Sequence, residues 1–378
     1  MNSNHYDVIV IGAGSMGMAA GYFLAKSGKR TLLLDSFNPP HNNGSHHGDT
    51  RIIRYAYGEG AEYVPLALKA QELWNDLEKA TGKPLFLQTG VLNVGMEKTD
   101  FIQNIISSSQ TYSLPLEVLT SDEVNKRWPG ISLSNEYISC FEPTSGVLKP
   151  EECISAYREL AEQHGASIIT NTRVKEIKAQ NDGVAINTGN QTYYSDSLVV
   201  SAGAWSGELL SMLDLKLPLQ PIRKTFAWFE ADERLYNHKD FPAFAFNTSK
   251  GLYYGFPSID GSGLKVGRHD GGEQINPDQP MLGFGELAED EADLVQFLNS
   301  NMPNSHHLKY GKTCIYTLTP DENFIIDLHP AYSNIAIAAG FSGHGFKFSS
   351  AVGQILSELI SSGKTEQDIS LFAINRFI

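Results

Sequence analysis

Cysteine is nearly missing from this chain: three residues in 378, at Cys140, Cys153 and Cys314. So few thiols, odd in number, exclude a disulfide framework and point to a reducing, cytoplasmic setting. Positive charge is also scarce, with 29 lysines and arginines against 43 acids and a formal net charge of −14. That balance argues against a phosphate-coated partner such as nucleic acid. Although 41% of the residues are hydrophobic, no apolar run approaches the roughly 20 residues that cross a bilayer. The first strand-like run starts at Val8, so no secretory leader is expected. Low-complexity tracts, solenoid periods and lipidation signals are absent too. The expectation is a soluble globular protein with no membrane and no nucleic-acid partner.

What is present starts at once. Val8-Ile9-Val10-Ile11 is a β-branched run of the kind buried in a parallel sheet. It enters Gly12-Ala13-Gly14-Ser15-Met16-Gly17, and a helical pattern follows through Met18, Tyr22 and Leu24 to Gly28. Thr31-Leu32-Leu33-Leu34 then reads as a second strand, ending at Asp35. The three glycines serve a tight turn, close approach to a pyrophosphate, and helix-on-strand packing. The helix N-terminus offers free N–H groups to phosphate, and Asp35 stands where a carboxylate accepts hydrogen bonds from a ribose. This order of elements makes a dinucleotide site, and this segment alone leaves the choice of dinucleotide open.

Farther along, Leu66, Leu73, Trp74 and Leu77 form an apolar stripe on a helix from about Val64 to Ala80. After Gly90 the texture alternates strands and loops, with a turn at Trp128-Pro129-Gly130. A helix over Glu151 to His164 leads into the strand Ser167–Thr170, and Leu198-Val199-Val200 is a buried strand. Strand-like segments dominate again from Pro218 to Lys312. The strand Asn334–Ala338, a glycine-rich turn and a helix from Ser349 to Ile360 close the chain. We therefore expect an α/β, two-domain protein. Residues 1–84, 150–217 and 313–378 would form the dinucleotide-binding domain, and residues 85–149 and 218–312 an inserted, strand-rich substrate domain. Strand–glycine units at Gly12, Gly203 and Gly340 would return to one sheet, a layout that suits a long cofactor touched along its length, as FAD is.

Three segments can carry chemistry. In Gly340-Phe341-Ser342-Gly343-His344-Gly345-Phe346-Lys347, small residues let the backbone approach a planar ligand and Lys347 adds a charge; a helix-capping loop is the plainer reading. In Gly44–Arg54, the adjacent His46 and His47 have no third ligand at a useful spacing, so no metal is expected. Arg51 and Arg54 would face the same way on a helical turn and suit a carboxylate or a flavin carbonyl, unless they are simply solvated. Cys314 and Tyr316 share a strand face, where a lone cysteine is more often packing; Cys140 and Cys153 are read as packing outright.

Together these segments resemble a known family, that of monomeric sarcosine oxidase and N-methyl-tryptophan oxidase, flavoproteins of the D-amino-acid-oxidase-like group. Besides Gly44–Arg54 and Gly340–Phe348, the resemblance rests on Tyr57-Gly58-Glu59-Gly60, Lys126-Arg127-Trp128-Pro129, Cys314-Ile315-Tyr316-Thr317 with Pro320-Asp321-Glu322, and Phe324-Ile325-Ile326-Asp327. It implies a Rossmann-type FAD-binding domain and FAD attached covalently through Cys314. It further implies that Arg54 and Lys347 grip a substrate carboxylate, with Arg51 beside the flavin. Tyr254, His269 and Tyr316 would line the substrate pocket, and Lys265 would stand near the flavin N5 edge. His47 and Thr50 would contact flavin or arginine. Gly12, Gly14, Gly17, Asp35, Val174, Gly203, Trp205, Gly340, Gly343 and Gly345 would complete the cofactor site. The implied reaction is oxidative N-demethylation by a monomer: sarcosine, O2 and water give glycine, formaldehyde and hydrogen peroxide. N-methyl-tryptophan, glycine or a proline-like amine are alternative substrates, and a flavin-binding redox subunit is the non-enzyme alternative. The chain departs from the family pattern at Tyr55, where relatives commonly have histidine, and Ala245 is small for a pocket-facing position.

Overall fold

The computed structural model describes residues 4–180, 182–303, 305 and 307–378. Among them, one eight-stranded sheet carries the strands His5–Ile11, Thr31–Leu34, Thr192–Val200 and Ile335–Ala339 in parallel. Helices cover the sheet, and the runs Val8–Ile11, Leu32–Leu34, Leu198–Val200 and Ile335–Ala339 within these strands are accordingly buried and apolar. Their C-terminal ends finish along one edge, so the turns at Gly12, Gly203 and Gly340 gather there although they are far apart in sequence. The helices Ser15–Lys26, Pro150–Gln163 and Ser349–Ser362 join one core with Val8, Val10 and Leu33. Gly353 lets the last helix cross the first, at a point where an added Cβ would stand 2.4 Å from that of Ala19.

A nine-stranded sheet is built around the long strand Gln220–Phe229, flanked by Leu264–Arg268 and by Leu308–Leu318. The strand Leu308–Leu318 leaves this sheet and leads into Ile325–Leu328 of the eight-stranded one, so a single run of chain joins the two. A small sheet pairs Arg51–Ile53 and Phe86–Leu87 with Gly146–Leu148. Among the described residues, no helix is long and apolar enough to cross a membrane.

Two sequence expectations need correction. Arg51–Ile53 is a strand, not a helical turn, because its backbone pairs with Gly146–Leu148; Arg51 and Arg54 therefore do not share the face of a helical turn. The stretches read as strand and loop also contain the helices Asp100–Tyr112, Ser121–Arg127 and Glu289–Asn301. The first carries an apolar stripe at helical spacing, Phe101, Ile102, Ile105 and Ile106, which the strand-and-loop reading passed over; the third opens on Glu289, Asp290 and Glu291, and its stripe is weaker. The second did have a local signal, the capping box of Thr120 and Glu123.

Glu289–Asn301 is fixed by a buried ion pair. Arg223 donates to both carboxylate oxygens of Asp290, at 2.8 and 2.7 Å, and the two side chains are 5% and 3% exposed. Asp290→Ala leaves the guanidinium buried without its counter-charge, and the expected loss is about 3–5 kcal/mol. Denaturant unfolding reads this as a lowered midpoint; an unchanged midpoint would show that the pair contributes nothing.

Candidate functional site

A cleft opens along the glycine-bearing edge of the eight-stranded sheet. Its wall includes Gly12, Gly14, Asp35, Val174, Gly203 and Trp205, and from the far end of the chain Gly340, Gly343 and Gly345. Gly12 has φ of +90°, and a Cβ there would meet the Ser201 carbonyl oxygen at 2.6 Å. Gly17 lies outside the wall, packed beneath it: its Cβ would fall 1.8 Å from the Gly12 carbonyl oxygen. The helix Ser15–Lys26 starts at the cleft with no side-chain cap and no acid in its first turn, leaving N–H groups and the positive dipole end for an anion. Asp35 accepts hydrogen bonds from the Ala13 and Phe37 backbone N–H groups, both at 2.8 Å, and ties the glycine turn to the end of the second strand.

The cleft fits a dinucleotide. No atom lies within 4 Å of a Cβ built on Gly203, so its backbone is bare. Thr317, also on the wall, has a buried hydroxyl with no partner among the described residues.

A second pocket shares Arg51, Tyr316, Gly343 and Phe346 with the cleft. It is lined by Arg54, Glu59, Tyr254, His269, His344 and Lys347, with Ala245, Leu252 and Phe256 on its apolar side. Gly343 sets the join: a Cβ there would stand 2.2 Å from the Tyr316 ring. The Arg54 guanidinium donates to Asn93 Oδ1 at 2.9 Å and to both oxygens of Glu59, at 2.6 and 2.8 Å. Lys347 Nζ donates to the Tyr57 hydroxyl at 2.9 Å and to the His344 carbonyl at 2.8 Å. The Tyr57 hydroxyl in turn meets His344 Nδ1 at 2.8 Å.

The electrostatics follow from this crowding. Burial, reinforced by Arg54, brings Lys347 down to about 7, with Glu59 opposing. Burial alone would raise Glu59, but Arg54, His344 and Lys347 outweigh it and hold the carboxyl at about 2. His269 is lowered to about 4, first by burial and then by Lys224, Arg54 and Lys347 against the pull of Glu59. Burial raises Tyr254 to about 12. The pocket therefore favours anions and neutral amines over ammonium groups.

Four residues singled out in the sequence stand behind these walls. The Lys265 ammonium donates to the Gly48 carbonyl and to Thr50 Oγ1, the latter at 3.0 Å, inside a box formed by Phe226, Trp228 and Phe256. Burial, with Arg51 adding to it, holds Lys265 well below the usual lysine range. Thr50 and His47 each give a backbone carbonyl to Arg51, at 2.7 Å, and both His47 ring nitrogens are buried without a partner among the described residues. Cys314 is 1% exposed, two residues before Tyr316 on the same strand. Burial raises its thiol, and Arg51, Lys265 and Lys224 oppose that rise.

Sequence reasoning gave no role to Glu59, Tyr57 or His344, although all three lie in quoted motifs, nor to Asn93, nor to His46 and Arg173, which also line the cleft. A carboxylate five residues from Arg54 was a visible signal for Glu59. No pattern in the chain marks Asn93.

The family model described as FAD dependent oxidoreductase matches residues 7–359. Monomeric sarcosine oxidase from Bacillus sp. (strain B-0618) is 56% identical over 377 residues, 99% of this chain and 97% of that protein. N-methyl-L-tryptophan oxidase from Escherichia coli (strain SMS-3-5 / SECEC) is 41% identical over 374 residues, 98% of this chain and 99% of that one. Among solved structures, L-proline dehydrogenase from P. horikoshii superposes with a TM-score of 0.86 at 23% identity, over 98% of this chain and 97% of that chain. NikD, an amino acid oxidase of nikkomycin biosynthesis, gives 0.86 at 23% identity, over 98% of both chains. These two similarities bear on the fold alone.

Proposed function

Because the chain belongs to the FAD dependent oxidoreductase family, we propose that it is a flavin-dependent amine oxidase that demethylates a secondary N-methyl amino acid, with sarcosine as the preferred substrate. One observation carries the reading: Arg54 and Lys347 converge on a pocket whose far wall is also the wall of the dinucleotide cleft. In this reading Arg54 and Lys347 hold the substrate carboxylate, which takes the place of Glu59 on the guanidinium fork. Tyr254, His269 and Tyr316 enclose the N-methyl group. Arg51, fixed by the carbonyls of Ser45, His47 and Thr50, lines the join between the two spaces. Burial among cations strips the proton from the substrate ammonium, leaving the neutral amine that oxidation needs. When bound, FAD supplies the two-electron acceptor for the N-methyl carbon and passes the electrons to O2. Lys265 keeps a buried cation close to that chemistry, and Cys314 is the residue we assign to covalent attachment. The imine product hydrolyses to glycine and formaldehyde. A monomer in the cytoplasm is the setting this reading takes, supported by three buried free cysteines.

A peroxide-coupled assay across sarcosine, N-methyl-L-tryptophan, glycine and proline tests it. Peroxide with stoichiometric formaldehyde, fastest on sarcosine, is expected; no peroxide from any N-methyl amino acid would overturn it. Ala245 on the pocket wall favours a second reading, an N-methyl amino acid with a bulkier side chain, which the same screen would show as a preference for N-methyl-L-tryptophan.

A pH dependence follows from Lys347. It is charged below about 7 and loses its proton above, whereas a bound carboxylate keeps it protonated. Acetate, assayed as a competitor of sarcosine, should therefore weaken up to about tenfold per unit as pH rises from about 7 to 9. A flat inhibition constant over that range would remove Lys347 from carboxylate binding.

A further inference from the structure

Lys224 is a buried cation that the proposed reaction leaves without a role. It lies on the strand Gln220–Phe229, in register with Cys314 on Leu308–Leu318. Cross-strand partners carry their side chains side by side on one face, and here that face also holds Ile222, Phe226 and Tyr316. The Lys224 ammonium donates to the carbonyls of Asp270 and Gly271, at 2.6 and 3.1 Å, and stands 5.7 Å from the centre of the Tyr316 ring. It is 5% exposed and makes no ion pair with a carboxylate among the described residues. A lysine buried against carbonyls and an aromatic face keeps its charge only at a cost, and burial lowers it to about 8. Of the groups that act on Lys224, the Cys314 thiol comes first, ahead of Asp270, Arg268 and Asp293. The groups acting on Cys314 come from three sides: Arg51 from the loop strand, Lys265 from the strand beyond, and Lys224 from the paired strand, with the neutral phenols of Tyr254 and Tyr316 alongside. Arg51 and Lys265 donate to backbone carbonyls of residues 45–50, as Lys224 does to those of Asp270 and Gly271, but of the three only Lys224 is the cross-strand partner of Cys314.

We propose that Lys224 is a positioning residue for cofactor attachment: it supplies positive charge across the strand pair from Cys314 and so favours the thiolate that bonds to the flavin. This rests on the assignment of Cys314 as the attachment residue. In the net change, the S–H of Cys314 and one C–H of a flavin ring methyl are broken and a C–S bond forms. Two electrons pass to the flavin and then to O2, which takes up the two protons and leaves as hydrogen peroxide. Only the thiolate is a competent nucleophile, so the rate follows its population.

The test uses full-length protein prepared without flavin, mixed with FAD in air, and sampled by acid precipitation to count flavin that stays with the protein. Wild type should become fully linked. Lys224→Met should link about tenfold more slowly near neutral pH, its rate profile moved about one unit upward; Lys224→Arg should restore the wild-type profile. Lys224→Gln serves as a second neutral variant if the methionine protein does not fold. Neutral variants that link at the wild-type rate with the wild-type profile overturn the role of Lys224 while leaving Cys314 in place. Slow linkage with an unmoved profile that arginine does not rescue also overturns it, in favour of turn capping at Asp270 and Gly271. A wild type that never retains flavin overturns the Cys314 assignment itself.

Discussion

Lys347→Met should cost the enzyme most of its turnover on sarcosine, chiefly through KM. The lysine is 6% exposed, so a substrate carboxylate meets it out of water, where losing one partner of a charge pair costs about 2–5 kcal/mol. That corresponds to roughly a thirtyfold to several-thousandfold fall in kcat/KM. Methionine matches the length of the stem and fills its space, so the loss is one of charge. The hydroxyl of Tyr57 and the carbonyl of His344 each lose a donor, but Tyr57 keeps its contact with His344 Nδ1. Arg54 stays in place through Asn93 and Glu59, which gives a residual affinity. Steady-state kinetics with sarcosine decide the matter; kinetics equal to wild type would sink the carboxylate role.

The second large effect is all or none. Cys314→Ala should release its entire flavin into the supernatant on acid denaturation, whereas wild type should release none. The variant should still load FAD, because the glycine edge, the uncapped helix and Asp35 lie elsewhere in the cleft. Flavin that remains bound to the precipitated variant would refute the assignment. Of the other two cysteines, Cys153 lies in the helical core and Cys140 in the nine-stranded sheet.

The dinucleotide edge was readable because its physics is local. From Val8 to Asp35 the strand, turn, helix and strand follow one another without interruption; Gly17 and Gly21 answer contacts within that unit, and Gly28 ends the helix with φ of +86°. The helix Asp100–Tyr112 was legible from Phe101, Ile102, Ile105 and Ile106 but was passed over, whereas the acids that open Glu289–Asn301 dilute its stripe and leave packing to decide its state. The substrate pocket divides the same way. Arg54 and Lys347 came from motifs, yet what holds Lys347 is Tyr57, 290 residues away. Arg54 is fixed by Asn93, whose strand pairs with neither motif. No period or spacing encodes such meetings; only the closed fold brings them about. Lys265 shows a subtler limit. Its burial against three aromatic rings is a property of strand register, which places Trp228 and Phe256 directly beside it.

The bond between Arg54 and Glu59 means that the pocket already contains its own ligand. A carboxylate tethered five residues away acts at an effective concentration on the order of millimolar or above, and every incoming acid must outcompete it. An acid that satisfies Arg54 alone only exchanges one such partner for another and gains little. One that engages Arg54 and Lys347 together makes a net gain. The built-in competitor thus works as a filter, admitting acids by the number of cations they can bridge and disfavouring those that reach Arg54 alone.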